Sequence, residues 1–297
     1  MSMLLIRGTF RVPKDAKPDG DTVPFVPDDV AEWKLVPGHK PIQPKADGRV
    51  SIRMEAIDAL ETHFEGHYGP EQHQPLDLAH RASDELLTWL GFASVQRHED
   101  ETVTTIPDSV PGFILTQGAD VHGRCVALVG RGTPPACTGY EIKVDEKLLQ
   151  KTANFHLISS GMAYPTFYSG FPRELREALT AETLKARKAK KGVWGDGVDV
   201  TTTGARITEM SSLTAANGAV ILPKLFRRLK EYLDLQPAHP PVVSLACLPT
   251  YLAGAADTFR LTSGGAPITG LHRIIQMPDA NTVRMTCLPE EIVFDEK

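Results

Sequence analysis

Positive charge, cysteine and long apolar runs are all in short supply in this chain. Lys and Arg number 32 against 37 Asp and Glu, a formal net charge of −5. A basic excess marks nucleic-acid coats and architectural DNA binders, so both classes are excluded and any such partner has to be held by local charge. The four cysteines, Cys125, Cys137, Cys247 and Cys287, are scattered and form no CxxC half-site. That excludes a disulfide framework and a cysteine-built zinc site, and the expectation is reduced, mostly buried thiols. No apolar stretch approaches the ~20 residues of a membrane span. Arg7 is followed by Gly8, Thr9 and Phe10 rather than by the apolar core of a signal peptide. A cytoplasmic protein with no membrane partner is expected. Repeats and low-complexity tracts are absent.

What is present is ordinary globular material, 41% hydrophobic and 23% charged over 297 residues, enough for about two domains. With 24 Gly and 23 Pro, turns are frequent and strands short. Strands are expected over 4–12, 50–57, 112–116 and 124–129, with a long loop over 23–48. In 50–57, Val50, Ile52 and Met54 share one face while Ser51, Arg53 and Glu55 share the other. Leu76, Ala79, Ala82, Leu86 and Leu90 make the apolar stripe of a helix over 75–91 that Gly91 stops. Further helices are expected over 146–160 and 172–191, with Trp194 folding back onto the body. Residues 198–217, rich in Thr, Ser, Ala and Gly, suggest a linker. A small α+β domain over 218–297 follows, with a helix near 223–235 and strands over 242–248, 257–262, 271–277 and 282–294.

The polar residues with chemical promise are carboxylates in turns and two arginines. Asp19-Gly20-Asp21 places two carboxylates in one turn, and Asp58 and Glu61 follow the strand that carries Arg53. Such oxygen donors suit a hard cation like Ca²⁺, and the lack of neighbouring His or Cys argues against zinc. Arg53 lies on the polar face of its strand, and Arg124 opens another after Gly123. Two guanidiniums can hold the oxygens of a phosphodiester in its transition state while a glutamate directs water.

The ordered set Asp19-Gly20-Asp21-Thr22, Ile52 through Glu61, Tyr68-Gly69-Pro70-Glu71, His122-Gly123-Arg124, Asn154 through Ala163 and Ala186 through Trp194 resembles the staphylococcal nuclease (thermonuclease) family over about residues 4–197. The resemblance implies a domain over 1–197 with a five-stranded OB-fold β-barrel and three flanking helices. It implies Ca²⁺ bound by Asp21, Asp58 and the carbonyl of Ala59, with Asp19 and Thr22 just behind them. Glu61 matches the family's water-directing base, and Arg53 and Arg124 match its phosphate-binding arginines. His122, Phe167 and Tyr168 match the nucleotide-contacting region. The implied reaction is calcium-dependent, sugar-nonspecific endonuclease cleavage of DNA and RNA to 3′-phosphates. The alternative is a nonenzymatic nucleic-acid or protein-binding module of the same fold. Asp58-Ala59-Leu60-Glu61 lacks the proline usual in the family, which is expected to loosen the loop carrying Glu61.

Residues 173–191 carry seven basic against three acidic side chains, and Lys224, Arg227, Arg228 and Lys230 form a second basic cluster, each a candidate phosphate-facing surface. The C-terminal region is assigned a regulatory role or one in homo-oligomerisation.

Overall fold

A computed structural model describes residues 2–236 and 243–295. The first strands are β1 (Ser2–Arg11), β2 (Thr22–Pro27), β3 (Val50–Met54) and β4 (Ile57–Ala59), followed by helix α1 (Leu76–Leu90). Then come β5 (Ser94–Arg97), β6 (Val103–Ile106), β7 (Ser109–Ala119), β8 (Cys125–Arg131) and β9 (Glu141–Lys143). Helices α2 (Glu146–Leu149) and α3 (Ala153–Ser159) precede β10 (Ala163–Pro165), β11 (Phe167–Tyr168) and α4 (Arg173–Lys188). The remainder holds β12 (Ala205–Arg206), α5 (Ser211–Thr214), α6 (Pro223–Asp234) and α7 (Leu248–Gly254). It ends with β13 (Thr258–Leu261), β14 (Ile268–Thr269), β15 (Ile275–Asp279), β16 (Thr282–Met285) and β17 (Ile292–Phe294).

Five strands close into a barrel. β1 pairs antiparallel with β2 and β7, β2 with β3, and β7 with β8, while β3 runs parallel to β8. β9 pairs with β1 outside this closure. The period of two holds in β3, where Val50, Ile52 and Met54 are buried. Close strand crossing demands glycine: a side-chain carbon on Gly8 would stand 2.1 Å from the Val26 carbonyl oxygen. The core runs from Phe10, Phe25 and Ile114 inside the barrel out to Leu86 of α1, Leu157 of α3 and Leu179 of α4. Full burial of each such side chain contributes about 1.5–3 kcal/mol.

The single helix expected over 146–160 is two. Asp145 caps α2, and Thr152 starts α3 by accepting from the Phe155 N–H at 3.3 Å, so each helix has its own N-cap. Behind them, the Asn154–Ala163 and Ala186–Trp194 segments meet backbone to backbone. The Val193 N–H donates to the Gly161 carbonyl at 2.9 Å. Gly161 and Gly192 have φ of 71° and 52°, and a side-chain carbon on either would lie 2.2 or 2.0 Å from a carbonyl oxygen of the other segment. Trp194 does fold back, its ring 4.9 Å from Tyr164 in an edge contact.

Leu60, Tyr164 and Trp194 share a second core with Leu225, Phe226, Leu229 and Phe259. β11 pairs in parallel with β17, which pairs with β13, so the chain following the barrel forms the edge of a sheet made by C-terminal strands. Residues 198–217, expected as a linker, contain β12 and α5 and bury Thr201, Ala205, Ile207 and Leu213. Residue 242 of the strand expected over 242–248 lies outside the described residues, as do 237–241, 296 and 297 of the C-terminal region. No strand occurs over 243–247, and Leu248 opens α7 instead. The loop expected over 23–48 holds β2 and a 3-10 turn, Val30–Leu35. All four cysteines are free, but Cys137 and Cys247 are exposed, so the expectation of mostly buried thiols holds fully only for Cys125. Among the described residues no helix is long and apolar enough to cross a membrane.

Candidate active site

Asp21 immediately precedes β2 beside the end of β3, where the Met54 N–H donates to the Asp21 carbonyl at 2.8 Å. Asp58 lies in the centre of β4, opposite Tyr164 of β10, and is fully buried. Asp19, Asp21, Asp58 and Glu61 come close enough for their charges to oppose one another. Burial, against the pull of Arg53, pushes the Asp21 carboxyl up to about 6. Burial also raises Asp19, although His63 and Thr62 pull it down. Thr22 donates to Asp21 at 3.2 Å, and Ala59 is buried next to Asp58 in β4. The expectation that histidine is absent from this group is corrected. His63 Nδ1 stands 3.5 Å from Asp19 Oδ1 and 2.8 Å from the Thr62 hydroxyl.

The cation facing these acids belongs to the C-terminal region. Arg227 of α6 donates to both oxygens of Asp58, at 3.1 and 2.8 Å, and also to Glu61. The two carboxylates hold its guanidinium firmly protonated despite burial. Burial pushes Glu61 up to about 8 against the opposing pull of Arg227. The loop that carries Glu61 is tied down without the family proline. Leu60 packs into the second core, and Gln74 accepts from the Glu61 N–H at 3.3 Å while donating to the Ile221 carbonyl at 2.8 Å. Lys230 of α6 adds hydrogen bonds to the carbonyls of Glu65 and Tyr68. The expected loosening of the loop is therefore countered by contacts from far along the chain.

With Arg227 on Asp58, this arrangement does not fit a calcium ion. Both oxygens of Asp58 are engaged by Arg227, and among the described residues no three His, Cys, Asp or Glu side chains group as metal ligands. The guanidinium stands where the acidic donor set would present its oxygens.

Arg53 and Arg124 line one cleft, of about 200 Å³, with His122 and Tyr168. Arg53 joins the cleft to the acids, since Asp21 raises its pKa against the opposing effect of burial. The turn holding Arg124 is built by Asp120, whose Oδ1 accepts the His122 and Arg124 N–H groups at 2.9 Å each. Its Oδ2 accepts from Arg124 Nε at 2.8 Å. Burial alone would raise Asp120, but the N–H groups and guanidinium outweigh it and lower its pKa. Alternation along β11 separates the two aromatic candidates: Tyr168 faces the cleft, whereas Phe167 is wholly buried in the barrel core.

Lys224, Arg228, Asp257 and Phe294 also line the cleft; the sequence marked Lys224 and Arg228 as part of a basic cluster but did not place them in this site. Lys224 Nζ lies 4.3 Å from the Phe294 ring centroid, and Arg228 forms a two-bond pair with Asp257 at 2.8 and 2.9 Å. The α6 basic cluster thus points inward to acidic and carbonyl partners rather than forming a free phosphate-facing surface. Its clustering was visible in sequence; the partners outside α6, distant in the chain, were not. Against models of known protein families the chain gives no match, and no curated protein matches it.

Proposed function

We propose that this chain is a phosphodiesterase of nucleic acids, with a barrel of OB type and a thermonuclease-like site. The observation that carries the reading is Arg53, which faces the arginine cleft on one side and the buried acids Asp21 and Asp58 on the other. In this reading Arg53 and Arg124 clamp the oxygens of one phosphodiester, and each supplies several kcal/mol at the transition state, about 3 to 4 by analogy with oxyanion donors. Glu61, ionised as pH rises through about 8, orients the attacking water. The products are expected to carry 3′-phosphates, with DNA and RNA both accepted. Calcium binding by Asp21, Asp58 and the Ala59 carbonyl belongs to the same proposal and requires Arg227 to withdraw. Homo-oligomerisation through residues 218–297 is a separate proposal, decided by the mass of the full chain in light scattering.

A second reading, a binding module without catalysis, is favoured by the same Arg227, which engages both Asp58 and Glu61. A cleavage assay of single- and double-stranded DNA and RNA, run in Ca²⁺, Mg²⁺, Mn²⁺ and EGTA, separates the two. Cleavage that is lost in Glu61→Gln and Arg53→Ala supports the enzyme. Binding without cleavage in any metal supports the module, and undiminished cleavage by Glu61→Gln overturns the mechanism.

A further inference from the structure

The cleft of Arg53 and Arg124 opens, through His122 and Arg124, into a second groove of about 490 Å³. Its lining includes Lys40, Lys45, Arg49 and Arg124 and contains no carboxylate side chain. Asp120 and Asp257 line the first cleft, whereas Asp47 and Asp120, the partners of the groove's Arg49 and Arg124, lie outside the groove lining. In a chain of net charge −5, a continuous basic lining is a local exception that attracts polyanions.

The wall is fixed by backbone structure. The Ala119 N–H donates to the Pro37 carbonyl at 2.8 Å, which docks the segment leading to Lys40 against the end of β7. A turn brings Lys45 next to Arg49, with the Lys45 N–H donating to the Arg49 carbonyl at 2.9 Å and the Gly48 N–H to the Lys45 carbonyl at 2.8 Å. Asp47 stands 3.5 Å from Arg49 and steadies it. Val50, Ile52 and Met54 turn inward, so Ser51 and Arg53 follow one another along the outer side of β3, with Arg49 immediately before it. Each step of two residues advances about 6.6 Å. Phosphates of an extended polynucleotide repeat on that scale, and Tyr168 and His122 at the cleft provide rings for an unstacked base. A duplex keeps its bases inside and its phosphates on a convex surface, so it cannot bring either to the recessed Arg53.

We infer that a single-stranded nucleic acid lies along this path, with one phosphate at Arg53 and Arg124 and the neighbouring phosphates of the same strand in the groove of Lys40, Lys45 and Arg49. The inference rests on the phosphodiester reading of the cleft and adds the form of the substrate and a second phosphate-binding groove. The test uses the full chain with a twelve-residue oligothymidylate, its duplex, and a 5′-phosphorylated thymidine dinucleotide, in EGTA so that nothing is cleaved. Binding is followed by fluorescence anisotropy and by NMR shifts across a salt series. The variant Lys40→Ala/Lys45→Ala/Arg49→Ala should bind the 12-mer at least about tenfold more weakly and lower the slope of log K against log salt by about 2. The dinucleotide affinity should be unchanged. A control, Lys143→Ala/Lys147→Ala/Lys151→Ala, removes the same charge from surfaces outside both grooves and should leave the 12-mer affinity intact.

Equal weakening in the control, or no loss in the groove variant, overturns the groove while leaving the cleft reading standing if the dinucleotide binds. Duplex binding as tight as single-strand binding overturns the assignment of a single strand. Failure of both dinucleotide and 12-mer to bind overturns the groove and the phosphodiester reading together.

Discussion

Arg227 of α6 holds both oxygens of Asp58 in β4, at 3.1 and 2.8 Å, across a sequence separation of 169. Asp58 is completely buried, and the Arg227 guanidinium pairs it with an opposite charge. The contact ties the barrel's acidic group to the C-terminal core and keeps Glu61 engaged as well.

Arg227→Leu should destabilise the chain by about 3–5 kcal/mol, because it strands a buried carboxylate. Urea unfolding measures the loss, and adding Asp58→Asn should recover much of it. The more conservative Arg227→Gln should give faster cleavage in calcium than the parent if the guanidinium restrains the enzyme. Unchanged or slower cleavage in a folded Arg227→Gln protein would count against that restraint.

Asp21 holds its proton to about 6 in the folded chain against its ordinary 3.8. Between these values the folded state binds more protons than the unfolded one, so this group's contribution to stability falls as pH rises and levels off above about 6. The total loss is about 3 kcal/mol. Asp21→Asn removes it. The difference in unfolding free energy between parent and variant should therefore change with pH from 4 to 6, with the variant more stable at pH 7.

Arg124→Ala and Arg53→Ala should both weaken binding of a dinucleotide phosphate. Their effects on stability should differ, because Arg124 is half exposed whereas Arg53 faces a buried acid. Asp120→Ala removes the acceptor of two turn N–H groups and the partner of Arg124, so it should weaken binding without touching the ligand. Calorimetric titration, with thermal melts as the folding check, measures all three.

Gln74→Leu leaves the Ile221 carbonyl and the Glu61 N–H without their partner, at a cost of about 1–3 kcal/mol. Hydrogen exchange at Glu61 should quicken in the variant. Gly192→Ala should cost more stability than an alanine at exposed Gly197, since its added carbon would meet the Gly161 carbonyl oxygen at 2.0 Å.

The sequence by itself determined the local elements and the roster of acids and arginines. Alternation in 50–54 set β3, the stripe from Ala79 to Leu90 set α1, and Gly91 ended it, because each is a period read over a few neighbouring residues. Asp19-Gly20-Asp21 and Asp58 to Glu61 could be picked out because their residue types and spacing carry the signal. The break at Thr152 was hidden because capping competes with an otherwise continuous apolar pattern. Only the tertiary structure decided what those residues face. It turned Phe167 into the core and Tyr168 into the cleft, and it brought Arg227 to Asp58 and Glu61 rather than to solvent. The physical reason is that a buried charge takes its partner from whatever the folded chain brings within hydrogen-bond reach, and no local period records that distance.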